Sequence, residues 1–386
     1  MSKEAAPSGR PVARIDLDAL VHNYRQVIEL VGRETDVVAM VKADAYGHGA
    51  APVAAALEEA GCRRFGVATI EEGAQLKRDR QLGGPRVAVF GGLLAAEAEA
   101  ALAHDLEVVV SDGDVVRALS ERAAAGSRTA AIHLKVDTGL TRLGVAPADA
   151  VELARRIDAL PGVRLASLCS HFAEAESVTG AVTAGQLECL VDVATAVRAA
   201  GIDVPERHIA NSSGILTRPE THLEAVRPGL MLYGLYPDPS LGDRASLRPV
   251  MTFEARVVRV ADVPAGRGVS YAHTYRTHAP ARLATVRVGY ADGYPRHLSG
   301  CGVVRVGGVE APVRGRVCMD QTVVDVTGLD GVAVGDPVEL WGAGLGAERV
   351  AALAGTISYE LVARVGARAV RRYEGRSADG SREDER

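Results

Sequence analysis

Apolar and polar positions follow one rhythm up to about residue 240 and another beyond it. From Val37 to about Gly234, short apolar runs alternate with Ala/Leu/Glu/Arg-rich stretches of helical composition. The runs predict strands at Val37 to Val41, Arg64 to Thr69, Arg86 to Phe90, Glu107 to Val110, Ala131 to Val136, Arg164 to Ser170, Arg207 to Ala210 and Glu224 to Arg227. About eight strand–helix units close a parallel barrel, so an α/β chain with an N-terminal (β/α)8 barrel is expected. Ahead of the first run, Leu20, Val21, Tyr24, Val27, Ile28 and Val31 share one helical face, with Asp18 placed as N-cap and Gly32 as the stop.

From about Arg248 the pattern becomes Val-rich alternation with many glycines: ARVVRVADV, RLATVRVGY, GVVRVGGVEAPVRGRV and QTVVDVTG. Period-two alternation between turn signals predicts a mostly β C-terminal domain. Turn-forming residues between Asp238 and Leu247 mark the boundary, giving a barrel over 11–244 and a β domain over 245–374. Residues 1–10 and 375–386 are expected to be disordered ends, since charge, Ser and Gly replace apolar positions there.

Polar residues fall where such a barrel would use them. Lys42, Asp137, His171, Asn211 with Ser212, and Arg227 each stand at or just past the carboxyl end of a predicted strand, and those ends converge on the face that builds active sites. The stretch VVAMVKADAYGHGA is the most informative, because Lys42 directly follows a run with no room for a charge. A desolvated lysine has a depressed pKa and attacks carbonyls, the chemistry of a Schiff base. The plain alternative is an ammonium that snorkels past the strand end into water.

Composition narrows the partners. A formal net charge of -5 and the lack of a basic tract exclude nucleic acid as the expected ligand and leave a small molecule. No segment is apolar enough for long enough to serve as a signal peptide or membrane span. The five cysteines lack CxxC or Cys/His metal spacing, and read as free thiols of a reducing, cytoplasmic compartment.

The motifs VKADAYGHG, LKVDTGLTRLG, SHFA, ANSSG, VRPGLMLYG, GVSY, GYADGYPR and CMDQ occur in that order between RIDLDAL and TISYEL. Together they resemble the fold-type III pyridoxal-phosphate (PLP) alanine racemases over nearly the whole chain. The resemblance implies a TIM-type barrel followed by a mostly β domain, and a cytoplasmic homodimer with shared active sites. Such a dimer would interconvert L-alanine and D-alanine for cell-wall peptidoglycan.

The same resemblance assigns roles by position. Lys42 matches the lysine that carries PLP and is one catalytic base; Tyr271 matches the other, reaching the opposite face from the second subunit. Inversion needs two such groups, one to remove the α-proton and one to return it from the other side. A free phenol is a poor base at neutral pH, and the implied link through His171 to Arg227 supplies a cation that favours its ionised form. Arg227 would face the pyridine nitrogen and, holding its own proton, leave that nitrogen unprotonated.

Phosphate would be held by Tyr46, Ser212, Tyr359 and the backbone at Gly229 and Leu230, with Asn211 in the same cofactor set. Arg142 and the backbone of Met319 match substrate-carboxylate contacts. Lys135 matches a lysine carboxylated in many members, and Tyr290 and Arg296 match the substrate corridor. Asp44 stands where many members have asparagine, a change expected to leave the chemistry intact.

Three other readings compete. PLP amino-acid decarboxylases share the architecture but put a carboxylate where VRPG puts Arg227. A racemase of other specificity would differ in its pocket, which rejects one added hydroxyl by only about a hundredfold, so serine is an expected side substrate. A single-domain PLP carrier would lack counterparts of Tyr271 and CMDQ, and this chain has both.

Overall fold

Strand β1 (Val12–Asp16) and the helix Leu17–Val31 precede the barrel in a computed structural model that describes residues 9–79, 84–176 and 180–375. The barrel itself closes through β2 (Asp36–Met40), β3 (Arg64–Val67), β4 (Arg86–Val89), β5 (Glu107–Val110), β6 (Ala130–Lys135), β7 (Val163–Cys169), β8 (Arg207–His208) and β9 (Ala225–Val226). Each strand pairs in parallel with the next, and β9 returns to β2. The eight expected strands are all present. The last two are shorter than predicted because the chain leaves the ladder at Ile209 and Arg227, although Arg227 N–H still bonds Ala210 O at 2.9 Å.

The C-terminal domain is mostly β, as its alternation predicts. Strand β10 (Met251–Val263) is its spine, with inward Met251, Phe253, Ala255 and Val257 buried and the residues between them partly exposed. It pairs with Pro337–Trp341, then beyond a bulge with Ala281–Val286. Phe253 packs on the fully buried Trp341 with ring centroids 4.6 Å apart.

Strand β1 corrects the expected domain start. Residues 12–15 pair antiparallel with β10, and 12–16 pair parallel with Val370–Glu374, so this segment lies in the second domain's sheet and not in the barrel. Five alternating residues carry no local sign of which sheet they will join. Arg10, within the expected loose N-terminus, donates from Nε to Arg368 O at 2.9 Å. The rest of the expected disordered ends, 1–8 and 376–386, lies outside the described residues.

The N-cap also moves. Asp16, in extended conformation, accepts from Ala19 N–H at 2.8 Å, and Asp18 sits in the first turn; Gly32 closes the helix with a left-handed φ of 80°. Asp16→Ala is therefore expected to cost about 1 kcal/mol in urea unfolding. Asp18→Ala should stay within about 0.5 kcal/mol, the scale of a helix-dipole contact. Equal losses in the two variants would refute this assignment.

The two domains are joined closely around the Lys42 turn. Buried Asn23 donates to Leu232 O (3.0 Å) and Arg248 O (2.8 Å) and accepts from Arg248 N–H (2.8 Å), which pins the connecting segment. No helix of the described residues is long and apolar enough to cross a membrane.

Candidate active site

Lys42 leaves β2 into a turn that is left-handed over four residues, Ala43, Asp44, Ala45 and Tyr46, with φ between 52° and 55°. Non-glycine residues pay roughly 1–2 kcal/mol each for this conformation, so surrounding bonds must hold it. Glu72 accepts from Ala43 N–H (2.8 Å) and Ala68 N–H (2.7 Å), tying the turn to the end of β3. From the second domain, Arg371 Nε donates to Gly47 O at 2.8 Å, and the backbone at Val362 lies where a Cβ on Gly47 would meet it. Asp44 accepts from Ala50 N–H (2.8 Å) at the start of helix Ala50–Glu59 and pairs with Arg371 at 3.6 Å. Its carboxylate is thus engaged away from the lysine.

The electrostatics at this mouth are cationic. Burial lowers the Lys42 pKa, Arg142 and Arg227 lower it further, and Glu72 opposes them. Arg227 is 3% exposed; burial pushes its pKa down to about 10, which leaves it protonated at neutral pH. Its Nη2 donates to Ser170 O (2.6 Å) and Ile209 O (3.1 Å) and lies 3.2 Å from His171 Nδ1, while Nη1 meets His208 Nδ1. Burial and then Arg227 hold His171 well below the usual histidine range, so it is neutral and accepts. Lys135, on β6, is buried beside these cations, and desolvation first, then Arg227 and Arg142, bring it to about 7.

Opposite lies a cradle of hydroxyls and backbone. Ser212 Oγ accepts from Gly229 N–H (3.0 Å) and Met231 N–H (3.3 Å). Asn211 caps the same helix, its side-chain oxygen accepting from Gly214 N–H at 3.0 Å. Tyr46 Oη comes so close to Gly229 that a Cβ there would sit 2.4 Å from it, so only glycine admits the phenol. Leu230 opens the buried turn Leu230–Tyr233, and Tyr359 lies 6.3 Å from Tyr46 between ring centroids.

Tyr271 and Met319 stand apart from this cluster. They are 69% and 51% exposed and line an open cavity of about 610 Å³ with Ser270, Ala272, His273, Cys318, Asp320 and Gln321, all from the second domain. Ser270, Ala272 and His273 hold φ values of 59°, 57° and 47°, and Ser270 Oγ donates to Arg316 O at 2.7 Å, fixing the strained loop to the CMDQ segment. Tyr290 N–H bonds Cys318 O at 3.1 Å, which puts this exposed tyrosine beside the same segment. Arg296 is exposed on the short turn Arg296–Leu298. Arg142 is exposed on the loop after β6, where Asp137 accepts from Gly139 N–H (3.0 Å) and Thr141 N–H (2.9 Å).

Several residues with work at this site were missed by sequence reasoning. Glu72 and Arg371 shape the lysine turn, and Glu107, His133, Ser167 and His208 form a buried chain beneath Arg227. The available signal was polar residues inside otherwise apolar strand runs, as in EVVV, AIHLK and RHIA.

A closed parallel barrel whose strand-end lysine turn is braced by a mostly β domain places the chain among two-domain α/β-barrel proteins. Within that class, residues 15–237 match the family "Alanine racemase, N-terminal domain" and residues 250–373 match "Alanine racemase, C-terminal domain". The chain belongs to the alanine racemase family. It is 41% identical over 365 residues to an alanine racemase of Halothermothrix orenii, covering 94% of this chain and 96% of that protein. Its fold matches the crystal structure of alanine racemase from D-cycloserine-producing Streptomyces lavendulae, with a TM-score of 0.91, 40% identity and coverage of 96% and 98% of the two chains. It also matches an alanine racemase of Bartonella henselae with covalently bound pyridoxal phosphate, with a TM-score of 0.85, 32% identity and coverage of 95% and 99%.

Proposed function

We propose that this chain interconverts L-alanine and D-alanine with PLP held on Lys42, in a cytoplasmic homodimer that supplies D-alanine for peptidoglycan. The observation that carries the reading is the buried Arg227 at the same mouth as Lys42: a fixed cation with hydrogen-bonded partners, where a decarboxylase would need a carboxylate. The donor set suits the cofactor. A lysine of lowered pKa meets a carbonyl carbon, hydroxyls of Tyr46, Ser212 and Tyr359 with the backbone at Gly229 and Leu230 suit a phosphate, and Arg227 suits a ring nitrogen.

PLP, when bound, supplies an electron sink that acidifies the α-carbon of an attached amino acid. Lys42 Nζ takes or returns the α-proton on one face, and Tyr271 Oη of a second copy does so on the other. Arg227, keeping its own proton, would give none to the ring nitrogen of the bound cofactor; the sink supplied there would be weak, which would favour return of the proton over transamination. Arg142 and the Met319 backbone hold the substrate carboxylate, and Tyr290 and Arg296 line the corridor. The exposure of Tyr271, Met319 and Tyr290 on one face supports completion of the site by a second copy.

Lys135 supports a further part of the reading. At about 7 its amine is substantially neutral near physiological pH, the form that adds to carbon dioxide, releasing one proton to water, and the resulting carbamate anion would offset Arg142 and Arg227. An unmodified ammonium would only add to their repulsion.

The deciding experiment is incubation of purified protein and PLP with L-alanine in deuterated water. D-alanine carrying α-deuterium is expected. Absence of D-alanine with PLP attached would overturn the reading, and inversion of serine in its place would move the specificity.

A further inference from the structure

We infer that Glu107, at the amino end of β5, is a positioning residue that acts through His133, Ser167 and His208 to hold Arg227 as a donor at the opposite end of the barrel. The inference rests on the proposed role of Arg227. All five residues lie inside the barrel and none is more than 8% exposed. They form one continuous line: Glu107 Oε2 to His133 Nε2 at 2.9 Å, His133 Nδ1 to Ser167 Oγ at 2.6 Å, Ser167 Oγ to His208 Nε2 at 3.0 Å, and His208 Nδ1 against Arg227 Nη1.

Proton placement in this line follows from its two ends. Arg227 only donates, so His208 Nδ1 must accept and the His208 proton sits on Nε2. His208 Nε2 is also 3.3 Å from His133 Nδ1, a gap that tolerates one proton and not two, so His133 Nδ1 is bare and its proton is on Nε2. That proton points at Glu107, a carboxylate that only accepts. Burial would raise the Glu107 pKa, but the hydrogen bond from His133 and the hydrogen bond and charge of Arg86 oppose it and hold it low, so Glu107 is a carboxylate at neutral pH. Every hydrogen bond therefore runs one way: Arg227 to His208, His208 to Ser167, Ser167 to His133, and His133 to Glu107.

The neighbouring charges leave this direction intact. Arg86 Nε takes the other oxygen, Glu107 Oε1, at 2.5 Å. Arg64 spans both oxygens of Glu206, whose Oε1 is 3.7 Å from His208 Nε2. His133, Glu206 and His208 have metal-ligand spacing, but Arg64 already occupies that carboxylate and Nε2 of His208 carries a proton, so the cluster orders protons and does not gather a cation.

Glu107→Gln reverses the line with almost no change of shape. Arg86 can only donate, so it claims the amide oxygen and turns the NH2 toward His133 Nε2, which must then accept. The His133 proton moves to Nδ1, Ser167 turns its proton to His208 Nε2, and His208 Nδ1–H meets Arg227 donor against donor.

The test is imidazole 15N NMR on 15N-histidine-labelled protein at neutral pH, beside racemisation kinetics. Wild type should show His133 and His208 as neutral Nε2–H tautomers, and Glu107→Gln should convert both to Nδ1–H. The variant's kcat should fall about 10–100-fold, the scale of an outer-shell positioning loss, with KM for alanine within about twofold. Should Glu107→Gln fail to fold, Ser167→Ala breaks the line in its middle while leaving Glu107 on His133, and its kcat should fall at unchanged His133 tautomer. A doubly protonated or Nδ1–H His133 in wild type, or unchanged kcat in a folded variant, would overturn the inference. The tautomers are read whatever the substrate, so a wild type without racemase activity would sink the functional reading separately.

Discussion

Lys42→Ala is expected to yield a folded protein that retains no cofactor after borohydride reduction and racemises alanine at least about 10⁴-fold more slowly, since the proposed base and covalent anchor vanish together. The loss should be chemical only. Lys42 is desolvated and faces Arg142 and Arg227, and its pKa in the folded protein lies below that of a free lysine. A lysine whose folded pKa is depressed binds its proton more weakly folded than unfolded. In cofactor-free protein it therefore weakens the fold, fully at pH below its depressed folded pKa, and that penalty fades as pH rises from there toward the unfolded value near ~10.4. Lys42→Met, which keeps the bulk and drops the charge, should then melt at or above the wild-type temperature at pH 7, and level with it near pH 11. Residual racemisation near wild type in either variant would remove Lys42 from the mechanism.

Tyr271→Ala should behave in the complementary way: PLP stays attached to Lys42, while racemisation falls roughly 10²–10⁴-fold, the usual worth of a positioned acid or base. Because Tyr271 is 69% exposed in the single chain, its truncation should change the stability of the chain's own fold by no more than about 0.5 kcal/mol. Mixing the two dead proteins separates a shared site from a self-contained one. If Tyr271 serves a second copy, random re-pairing of equal amounts of Lys42→Ala and Tyr271→Ala chains makes half of the dimers mixed, each with one intact site, and restores about a quarter of wild-type activity. No recovery after demonstrated exchange would place both groups within one chain and overturn the shared-site proposal.

Much of this protein was legible in its sequence because much of it is local. Several barrel strands, such as β2 and β4, are near-continuous apolar runs and β10 alternates with period two, so each announces its burial without knowledge of its partner. Lys42 was visible for the same reason, as a charge where an apolar run leaves none to be expected. Motif order added the family, since those short strings follow one another in the order the resemblance requires.

What the tertiary structure alone decided is everything that depends on who sits opposite whom. Strand β1 has the same alternation whether it joins the barrel or the β domain, and only its pairing with β10 and Val370–Glu374 settles the matter. The left-handed turn after Lys42 is built from residues that avoid such a conformation, and it stands through Glu72 from 29 positions away and Arg371 from 324 positions away. Glu107, His133 and His208 read in sequence as polar blemishes in apolar strands. Barrel closure turns them inward onto one another, where a buried polar group must find a partner, and the partner chosen for each fixes the proton of the next.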